Sequence, residues 1–399
     1  MTFGRPLLHA ILVSAFLWTA VPAQAQATLR AEVVKPLQAA QEQLKAGNAA
    51  AALTHALSAR AVPNLTAAEK VTVERIVATA ALNAKEQGTA LEALTFLSAE
   101  TSLPAGDRLA FQETLISLLR LQGDMAGLAK AARQYLDQGG TKAGTRAIYL
   151  QALSAQNRHA DVIEYLNPLL QSDKDTLLSE PEARVLAIAQ RSVKNEAGYY
   201  DALKRLVRSA PTNADYWGTL LAQVKNLPQF DARYELDLAR LMAHRQAWTD
   251  ANDHLYYAQL ALKAGYPLEA QRALDAGVQA KAFSTSADAA NLDKLRRTVQ
   301  RKIAEDAPLL QALEKKASST QQQAELAEIL FSKADYPEAA KLYRAALQTP
   351  DLRRVDELRL HWAVALELSA QRNEARAQLA AIQSSVTARE LGALWTLVP

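Results

Sequence analysis

The residues best suited to acid–base or metal chemistry are six histidines, at positions 9, 55, 159, 244, 254 and 361. His244 and His254 are ten residues apart, and the sequence contains no His-Glu-x-x-His spacing. A catalytic zinc ion needs three converging protein ligands, so a single pair of histidines does not predict a zinc site. We therefore interpret the histidines as surface or boundary residues, and we predict neither a metal site nor a bound cofactor.

The sequence motifs of other enzyme classes are also missing. There is no cysteine, which excludes thiolate catalysis, disulfides and cysteine-ligated metals. The segment from Gly140 to Gly144 superficially resembles a phosphate-binding loop but lacks the Gly-Lys-Ser/Thr ending. A lytic transglycosylase, which is an exported helical enzyme, would need a separate catalytic domain with an acidic residue in a sugar groove. The repeats described below continue after residue 320 and leave no room for one, so we predict no enzyme.

The clearest group of charges is a basic run, which could bind anions or lipids. It comprises Lys294, Arg296, Arg297, Arg301 and Lys302. Helical spacing places 294, 297 and 301 on one face and the apolar residues 295, 299 and 303 on another. Because charge runs usually face water and acidic residues follow at 305 and 306, we interpret this run as a solvated face.

The first 27 residues have the layout of a secretory signal peptide. Arg5 is followed by the apolar stretch Leu7–Trp18, and Val21–Ala27 offers small residues for cleavage after Ala25 or Ala27. The full chain carries a net charge of +3, and loss of Arg5 leaves about +2, which gives no strong attraction to nucleic acid. We expect an exported mature chain with no further membrane span.

The elements that would position any functional side chain are predicted to be helices in a repeating pattern. Corners between predicted helices recur along the chain, most of them followed by an alanine that opens the next helix. The intervals between three such alanines, 202–270 and 270–339, each equal two periods of about 34 residues. Within a repeat, small residues stand 12 and then 7 residues apart: Ala40, Ala52 and Ala59; Ala258, Ala270 and Gly277; Ala327, Ala339 and Ala346. Pro63, Pro104 and Pro350 each lie 11 residues after the small residue of a second helix, where proline ends a helix.

The repeat pattern divides the chain into four predicted segments. A signal peptide (1–27) precedes an N-terminal solenoid (28–280), an irregular segment (281–319), and C-terminal repeats with a capping helix (320–399). In the irregular segment we expect one helix over Asp288–Lys302 and another over Pro308–Lys316. This segment could be a degenerate repeat, a hinge or a joint, and we favour a degenerate repeat.

These small residues, corners and prolines resemble the tetratricopeptide repeat (TPR) family, whose small residues occupy positions 8, 20 and 27. The resemblance covers most of 33–383 and implies an all-α fold, a right-handed α-solenoid of TPR-like helical hairpins. More narrowly, the export signal and the closing segment Glu390–Trp395 are similar to periplasmic repeat proteins of Gram-negative bacteria. Some proteins of that type are encoded beside TonB/ExbB/ExbD energising systems.

The family resemblance also implies a partner-binding groove lined by the first helix of each hairpin. Mapped onto this sequence, the groove positions are Arg184, Arg191 and Lys194 in one repeat and Asn252 and Gln259 in another, with Tyr256 beside them. The paired asparagines that clamp a carboxyl-terminal peptide in some members are missing. What remains is a mildly basic, polar groove suited to an extended peptide or a partner helix.

We therefore predict a non-catalytic scaffold that binds a protein or peptide segment in the periplasm. Two alternatives stay open: a cell-wall or outer-membrane biogenesis factor that binds glycan, and a structural subunit of an envelope transport complex. Exposed tryptophans would favour the glycan alternative, because sugars bind on aromatic platforms. The sequence does not indicate an oligomeric state.

Overall fold

The all-α fold predicted from the repeats is confirmed. A computed structural model describes residues 29–173, 176–248, 250–316, 319–349 and 352–399. Over these residues the chain is 76% helical, has no strands, and packs its helices in adjacent pairs. None of the helices in these ranges is both long and apolar enough to cross a membrane. The expected export segment and Pro350 lie outside the described residues.

The chain divides into two compact units, with the boundary between Ala152 and Leu153. The helices that begin in the first unit are α1 (Ala31–Lys45), α2 (Ala49–Arg60), α3 (Ala67–Ala84), α4 (Gln87–Ala99), α5 (Ala105–Gln122), α6 (Met125–Asp137) and α7 (Thr145–Ala155). Each of the pairs α1–α2, α3–α4 and α5–α6 is a helical hairpin. The predicted divisions at 280 and 319 fall inside the second unit and remain a prediction.

The second unit contains the remaining helices. They are α8 (His159–Ser172), α9 (Glu180–Ser192), α10 (Glu196–Ser209), α11 (Ala214–Val224), α12 (Glu235–His244), α13 (Ala251–Lys263), α14 (Pro267–Gln279), α15 (Ser286–Lys316), α16 (Thr320–Ser332), α17 (Tyr336–Ala346), α18 (Val355–Leu368), α19 (Arg372–Ala380) and α20 (Val386–Trp395). The hairpins with the most extensive packing are α9–α10, α13–α14, α16–α17 and α18–α19.

The small residues that revealed the repeat lie where paired helices touch. Ala52, Ala270 and Ala339 are each 0% exposed. Gly277 of α14 sits against α13 so closely that a Cβ atom there would lie 2.8 Å from Cγ of His254. A larger side chain would separate the helices, which is why the sequence keeps these positions small.

Most hairpin corners contain one residue in the left-handed backbone conformation. Glycine fills it at Gly47, Gly123 and Gly265, with φ between 72° and 84°. Five other corners use a residue with a side chain: Lys85, Asn157, Lys194, Ala334 and Ala370. Because only glycine adopts this conformation without a steric cost, the corner geometry must be imposed by the packing of the two helices.

The segment predicted to hold two helices forms a single one. The 31-residue helix α15 runs from Ser286 to Lys316 and contains Pro308 in its interior. Its first half packs on α13 and α14 through Leu292 and Val299, which join an apolar core with Leu255 and Leu274. The expectation of a break before Pro308 was wrong, because the proline lies within an uninterrupted helix.

The last helix of the second unit packs against helices far earlier in the chain. Tyr200 of α10 donates a hydrogen bond to Oε1 of Glu390 at 2.8 Å, across a sequence separation of 190 residues. The hydroxyl of Thr387 accepts a hydrogen bond from the backbone of Asp231 at 2.9 Å. Hairpins of this unit therefore also contact segments that are distant in sequence.

Candidate functional site

The structure places most of the predicted groove residues on exposed faces of first helices. On α9, Arg184 and Arg191 are exposed, and Ile188 lies between them with 45% of its surface exposed. The Arg184 side chain donates to Oε1 of Glu180 at 3.1 Å, and Tyr216 of α11 donates to the same oxygen at 2.6 Å. This shared carboxylate links the exposed faces of α9 and α11.

Lys194 does not lie on the exposed face of α9. It follows the helix and adopts φ 58°, at the corner that leads into α10. Its place in the family register assumed that the helix continues to residue 194, whereas α9 ends at Ser192. The side chain is exposed at the rim of the hairpin.

The predicted residues on α13 form a row with the same spacing. Asn252, Tyr256 and Gln259 are exposed at i, i+4 and i+7, and Tyr256 is 38% exposed. The Tyr256 hydroxyl donates to Oε2 of Glu235 at 2.9 Å and accepts from Nζ of Lys225, also at 2.9 Å. The ring is thus fixed in position by a contact on each side.

Between these helices, α11 exposes a third row with the same spacing, Asp215, Thr219 and Ala222. We call the three rows together the first-helix face. It consists of Arg184, Ile188 and Arg191 of α9, Asp215, Thr219 and Ala222 of α11, and Asn252, Tyr256 and Gln259 of α13. Sequence reasoning missed Ile188, although it lies one turn after a predicted position. The i+4 spacing was the signal that could have identified it.

A second cluster of functional side chains was not predicted at all. We call it the ion cluster: Asp237 and Arg240 of α12, Glu269 of α14, Glu328 of α16 and His361 of α18. Their side chains are between 3% and 12% exposed. The prediction that His361 is a surface or boundary residue was therefore wrong. The repeat register did not reveal that another helix covers its face of α18.

Arg240 and His361 connect the three carboxylates of the ion cluster. Arg240 donates to both carboxylate oxygens of Glu269, at 2.8 and 2.9 Å, and to Oδ1 of Asp237 at 2.8 Å. Nδ1 of His361 lies 2.7 Å from Oε1 of Glu328, and Nε2 lies 2.7 Å from Oδ1 of Asp237. Because ionised carboxylates only accept hydrogen bonds, both ring nitrogens must donate and the ring is an imidazolium.

The acid–base properties of the cluster follow from these contacts. Burial alone lowers the pKa of His361, but the charges of Asp237 and Glu328 and their hydrogen bonds outweigh it and raise the pKa to about 9. Burial alone would raise the pKa of Asp237, yet His361 and Arg240 hold it at about 2. Glu328 is held at about 2 against the effect of burial by His361 and Tyr343.

Tyrosine hydroxyls and aromatic rings complete the surroundings of the cluster. Glu328 accepts from Tyr343 at 2.7 Å and from Tyr266 at 3.0 Å, and Glu269 accepts from Tyr257 at 2.8 Å. The ring of Phe331 stacks on His361 at 5.3 Å and lies 4.8 Å from the Arg240 guanidinium. With three carboxylates and two cations, the cluster carries a net charge of −1 that these hydroxyls help to stabilise.

A groove of about 510 Å³ lies elsewhere in the second unit, beside residues 229–234, 354–359 and 383–387. Its charged side chains are bonded to the protein itself. Arg233 pairs with Asp231 at 2.6 Å, and the carboxylate of Asp356 accepts from the backbone N–H groups of Ser384 and Ser385 at 2.7 Å. None of the ion-cluster residues lines this groove.

The remaining candidates from the sequence lie apart from one another. The ring of His244 lies tilted against Trp395 at 5.1 Å, whereas His254 stacks on Trp248 at 5.6 Å. In the described ranges, no three histidine, aspartate or glutamate side chains are arranged to hold a metal ion. In the basic run, Lys294, Arg297, Arg301 and Lys302 are exposed on α15, as expected of a solvated face, and Arg296 pairs with Asp275 at 2.9 Å.

No protein-family model and no curated protein matches this chain. Several solved structures are similar to it. One is the TPR2AB-domain:pHSP90 complex of yeast Sti1, with 16% identity and a TM-score of 0.35, over 67% of this chain and 98% of that one. Another is a tetratricopeptide repeat protein from Parabacteroides merdae, with 10% identity and a TM-score of 0.30, over 84% and 99%. The TPR domain of P58(IPK) has 14% identity and a TM-score of 0.24, over 92% and 98%.

At these identities and TM-scores, the comparisons carry no conclusion about partners or activity. The fold assignment rests on the paired helices, the buried small residues and the left-handed corners of the chain itself.

Proposed function

We propose that this chain is a non-catalytic interaction scaffold whose first-helix face binds a segment of another protein. The observation that carries the proposal is the repetition of one exposed row, at i, i+4 and i+7, on three successive first helices. Two of these rows have a large, partly exposed apolar or aromatic residue at their centre, Ile188 on α9 and Tyr256 on α13. Partly exposed apolar side chains framed by polar ones are typical of a protein-binding surface.

The charges on this face favour an acidic or neutral segment. Arg191 lies 6.0 Å from the ring centroid of Tyr199, and no described carboxylate pairs with it. Arg184 pairs with Glu180, but more than half of its side chain is exposed, so the pair is weak. Carboxylates of the partner would therefore pair with these two guanidinium groups separately, while its apolar residues contact Ile188 and Tyr256.

The location we propose is the periplasm of a Gram-negative bacterium. The support is the sequence pattern of residues 1–27 alone, with its basic start, short apolar stretch and small residues near the cleavage position. Fractionation of cells that express the full chain should recover it in the periplasm, with a new amino terminus at Gln26 or Thr28. Recovery in the cytoplasm with Met1 retained would refute this location.

The binding surface is tested by a paired set of variants. Ile188→Asp combined with Tyr256→Ala removes two apolar anchors at about 1–2 kcal/mol each, so partner recovery should fall roughly tenfold or more. The control removes two exposed residues from another helix, Arg297→Ala with Arg301→Ala on α15. Both proteins should keep the helical circular-dichroism spectrum. Equal recovery of cross-linked partner by the two variants would remove the first-helix face from the proposal.

The glycan alternative finds less support among the described tryptophans. Trp217, Trp362 and Trp395 are at most 6% exposed, and Trp248 is partly buried and stacks on His254 and Tyr257, so none of the four offers a fully open platform for a sugar ring. A structural role in an envelope transport complex stays an alternative. Cross-linking in cells distinguishes it, because a subunit would be captured with membrane components through surfaces other than the first-helix face.

A further inference from the structure

The groove beside residues 229–234, 354–359 and 383–387 lies where three helices of the second unit begin. The first range precedes α12, the second includes the first turn of α18, and the third includes the start of α20. The volume of about 510 Å³ is typical of a site for a small molecule. The amino-terminal end of a helix carries a partial positive charge, so the three helices add to the positive charge of the side chains in the groove.

The carboxylate of Asp356 in this groove is bound by the chain itself. Its Oδ1 accepts from the backbone N–H of Gln383 at 3.2 Å, and its Oδ2 accepts from those of Ser384 and Ser385, both at 2.7 Å. Burial alone would raise the pKa of this carboxyl group, but the three backbone donors outweigh burial and lower the pKa. Asp356 is therefore ionised at neutral pH, and both of its oxygens already accept hydrogen bonds.

The other two carboxylates of the groove are each bound by a nearby arginine. Both oxygens of Asp231 accept from Arg233, and both oxygens of Glu357 contact Arg354. The side chains of the two arginines are 64% and 59% exposed, and ion pairs at such exposed positions are weak. A guanidinium group has five N–H donors, of which these contacts use two in each arginine. Both arginines can therefore bind a ligand without leaving their carboxylates.

Arg359 adds a third guanidinium group to the groove, and no carboxylate of the described residues forms an ion pair with it. Its Nη1 donates to the backbone carbonyl of Ala381, and its side chain is partly exposed. Within the described chain, most N–H donors of the three arginines thus remain unbonded, whereas each oxygen of the three carboxylates already has a partner. An ionised carboxylate or phosphate group only accepts hydrogen bonds from such donors, and it therefore fits this groove.

The lining also offers apolar contacts. Val355 is partly exposed, and Val386 is 46% exposed. These side chains can contact the carbon skeleton of a ligand whose charged groups bind the arginines. The groove therefore suits an organic anion better than a simple inorganic ion.

We propose that this groove binds a small organic anion with two or more carboxylate or phosphate groups, held by the guanidinium groups of Arg233, Arg354 and Arg359. An arginine binds either kind of group through two parallel hydrogen bonds, so the two groups share one recognition chemistry. The proposal goes beyond the proposed function, because no residue of the first-helix face lines this groove. Failure of one proposal therefore leaves the other standing.

Isothermal titration calorimetry of the full chain at low salt tests the proposal. The probes are citrate for carboxylates and fructose 1,6-bisphosphate for phosphates, and at least one of them should bind at a single site with a Kd of about 1 mM or below. Arg233→Gln combined with Arg359→Gln should raise that Kd about tenfold or more, because charge-assisted hydrogen bonds are lost.

The matched control for this pair is Arg297→Gln combined with Arg301→Gln, which removes the same charge from the exposed face of α15. It should change the Kd by less than about twofold, since charges at the surface are screened by solvent and salt. The probe that binds identifies the ligand groups as carboxylates or phosphates. Absence of saturable binding by both probes, or equal weakening by the two pairs of variants, would overturn the proposal.

A second variant keeps the proposal testable if the arginine pair does not fold. Val386→Asp places a carboxylate in the groove at the first residue of α20, where a negative charge favours the helix. It should raise the Kd of the bound probe about tenfold or more by repulsion. The control Val278→Asp changes a valine of α14 that is 42% exposed, and it should bind as the wild-type chain does. Wild-type affinity in Val386→Asp would place the probe outside this groove and refute the assignment.

Discussion

The charge on His361 should make the stability of the second unit fall as the pH rises above neutrality. The groups that face His361 are Asp237 and Arg240 on α12 and Glu328 on α16, with Tyr343 of α17 bonded to the same carboxylate. The pKa of His361 is about 9 in the folded chain, against 6.5 for an unperturbed histidine. Because the folded state binds this proton more tightly, the stabilisation is complete below pH 6.5 and is lost as the pH passes 9.

The magnitude follows from the size of the shift. At about 1.4 kcal/mol for each pH unit, the raised pKa contributes about 3 kcal/mol at low pH and about 2.5 kcal/mol at pH 7. Roughly 2 kcal/mol of that contribution should disappear between pH 7 and pH 9. This is a large part of the total stability of an ordinary domain, so the change is measurable.

The assay is urea denaturation followed by tryptophan fluorescence. In a chain that begins after residue 27, the four tryptophans are Trp217, Trp248, Trp362 and Trp395, which all lie in the second unit, so the signal reports on that unit. Other groups also titrate over this range, and we therefore compare the wild-type chain with His361→Gln, in which only the imidazole is missing. The stability difference between the two proteins should shrink by about 2 kcal/mol from pH 7 to pH 9. A difference that is constant or grows with pH would show that His361 is not held as an imidazolium.

Two glycine substitutions test the packing of the hairpins. Gly277→Ala places a methyl group 2.8 Å from His254 and should lower the free energy of unfolding by about 1–2 kcal/mol. The control Gly88→Ala lies in the first turn of α4 with open space around it and should change that free energy by no more than about 0.5 kcal/mol. Equal thermal shifts for this pair would contradict the close approach of α13 and α14. Gly140→Ala would collide with the ring of Tyr135, so we expect a loss of about 1–3 kcal/mol from the first unit, measured by circular dichroism. If Gly140→Ala is as stable as the wild-type chain, Gly140 does not lie against the ring of Tyr135.

The sequence predicted the hairpins well because their contacts are local. A residue such as Ala339 must be small because the two helices of one hairpin meet there, and this requirement does not depend on distant parts of the chain. The same local period placed Arg184, Arg191 and Tyr256 on exposed faces. Lys194 does not lie on this exposed helix face, because α9 ends two residues before it. Periodicity predicts helix ends poorly.

The ion cluster could not be predicted from the sequence in this way. Its members are separated by up to 124 residues, and no spacing rule relates α12 to α18. The sequence pattern did not single out Asp237 or Arg240, because burial by a distant helix leaves no local signal. The sequence signal for the buried charges was the presence of an aspartate and an arginine within the otherwise apolar run Leu236–Leu241.

The return of α20 to α10 has a consequence for synthesis of the chain on the ribosome. Each hairpin can form soon after it emerges, but Tyr200 must wait for Glu390, which lies 190 residues later. At about 5–20 residues per second, the nascent chain carries α12 without its final neighbours for roughly 10–30 s. During this interval Asp237 and Arg240 can pair with each other but not yet with His361, and the apolar residues of α12 are open to chaperones or to premature association. Completion of the second unit is therefore a late, concerted step and not a gradual extension of the repeats.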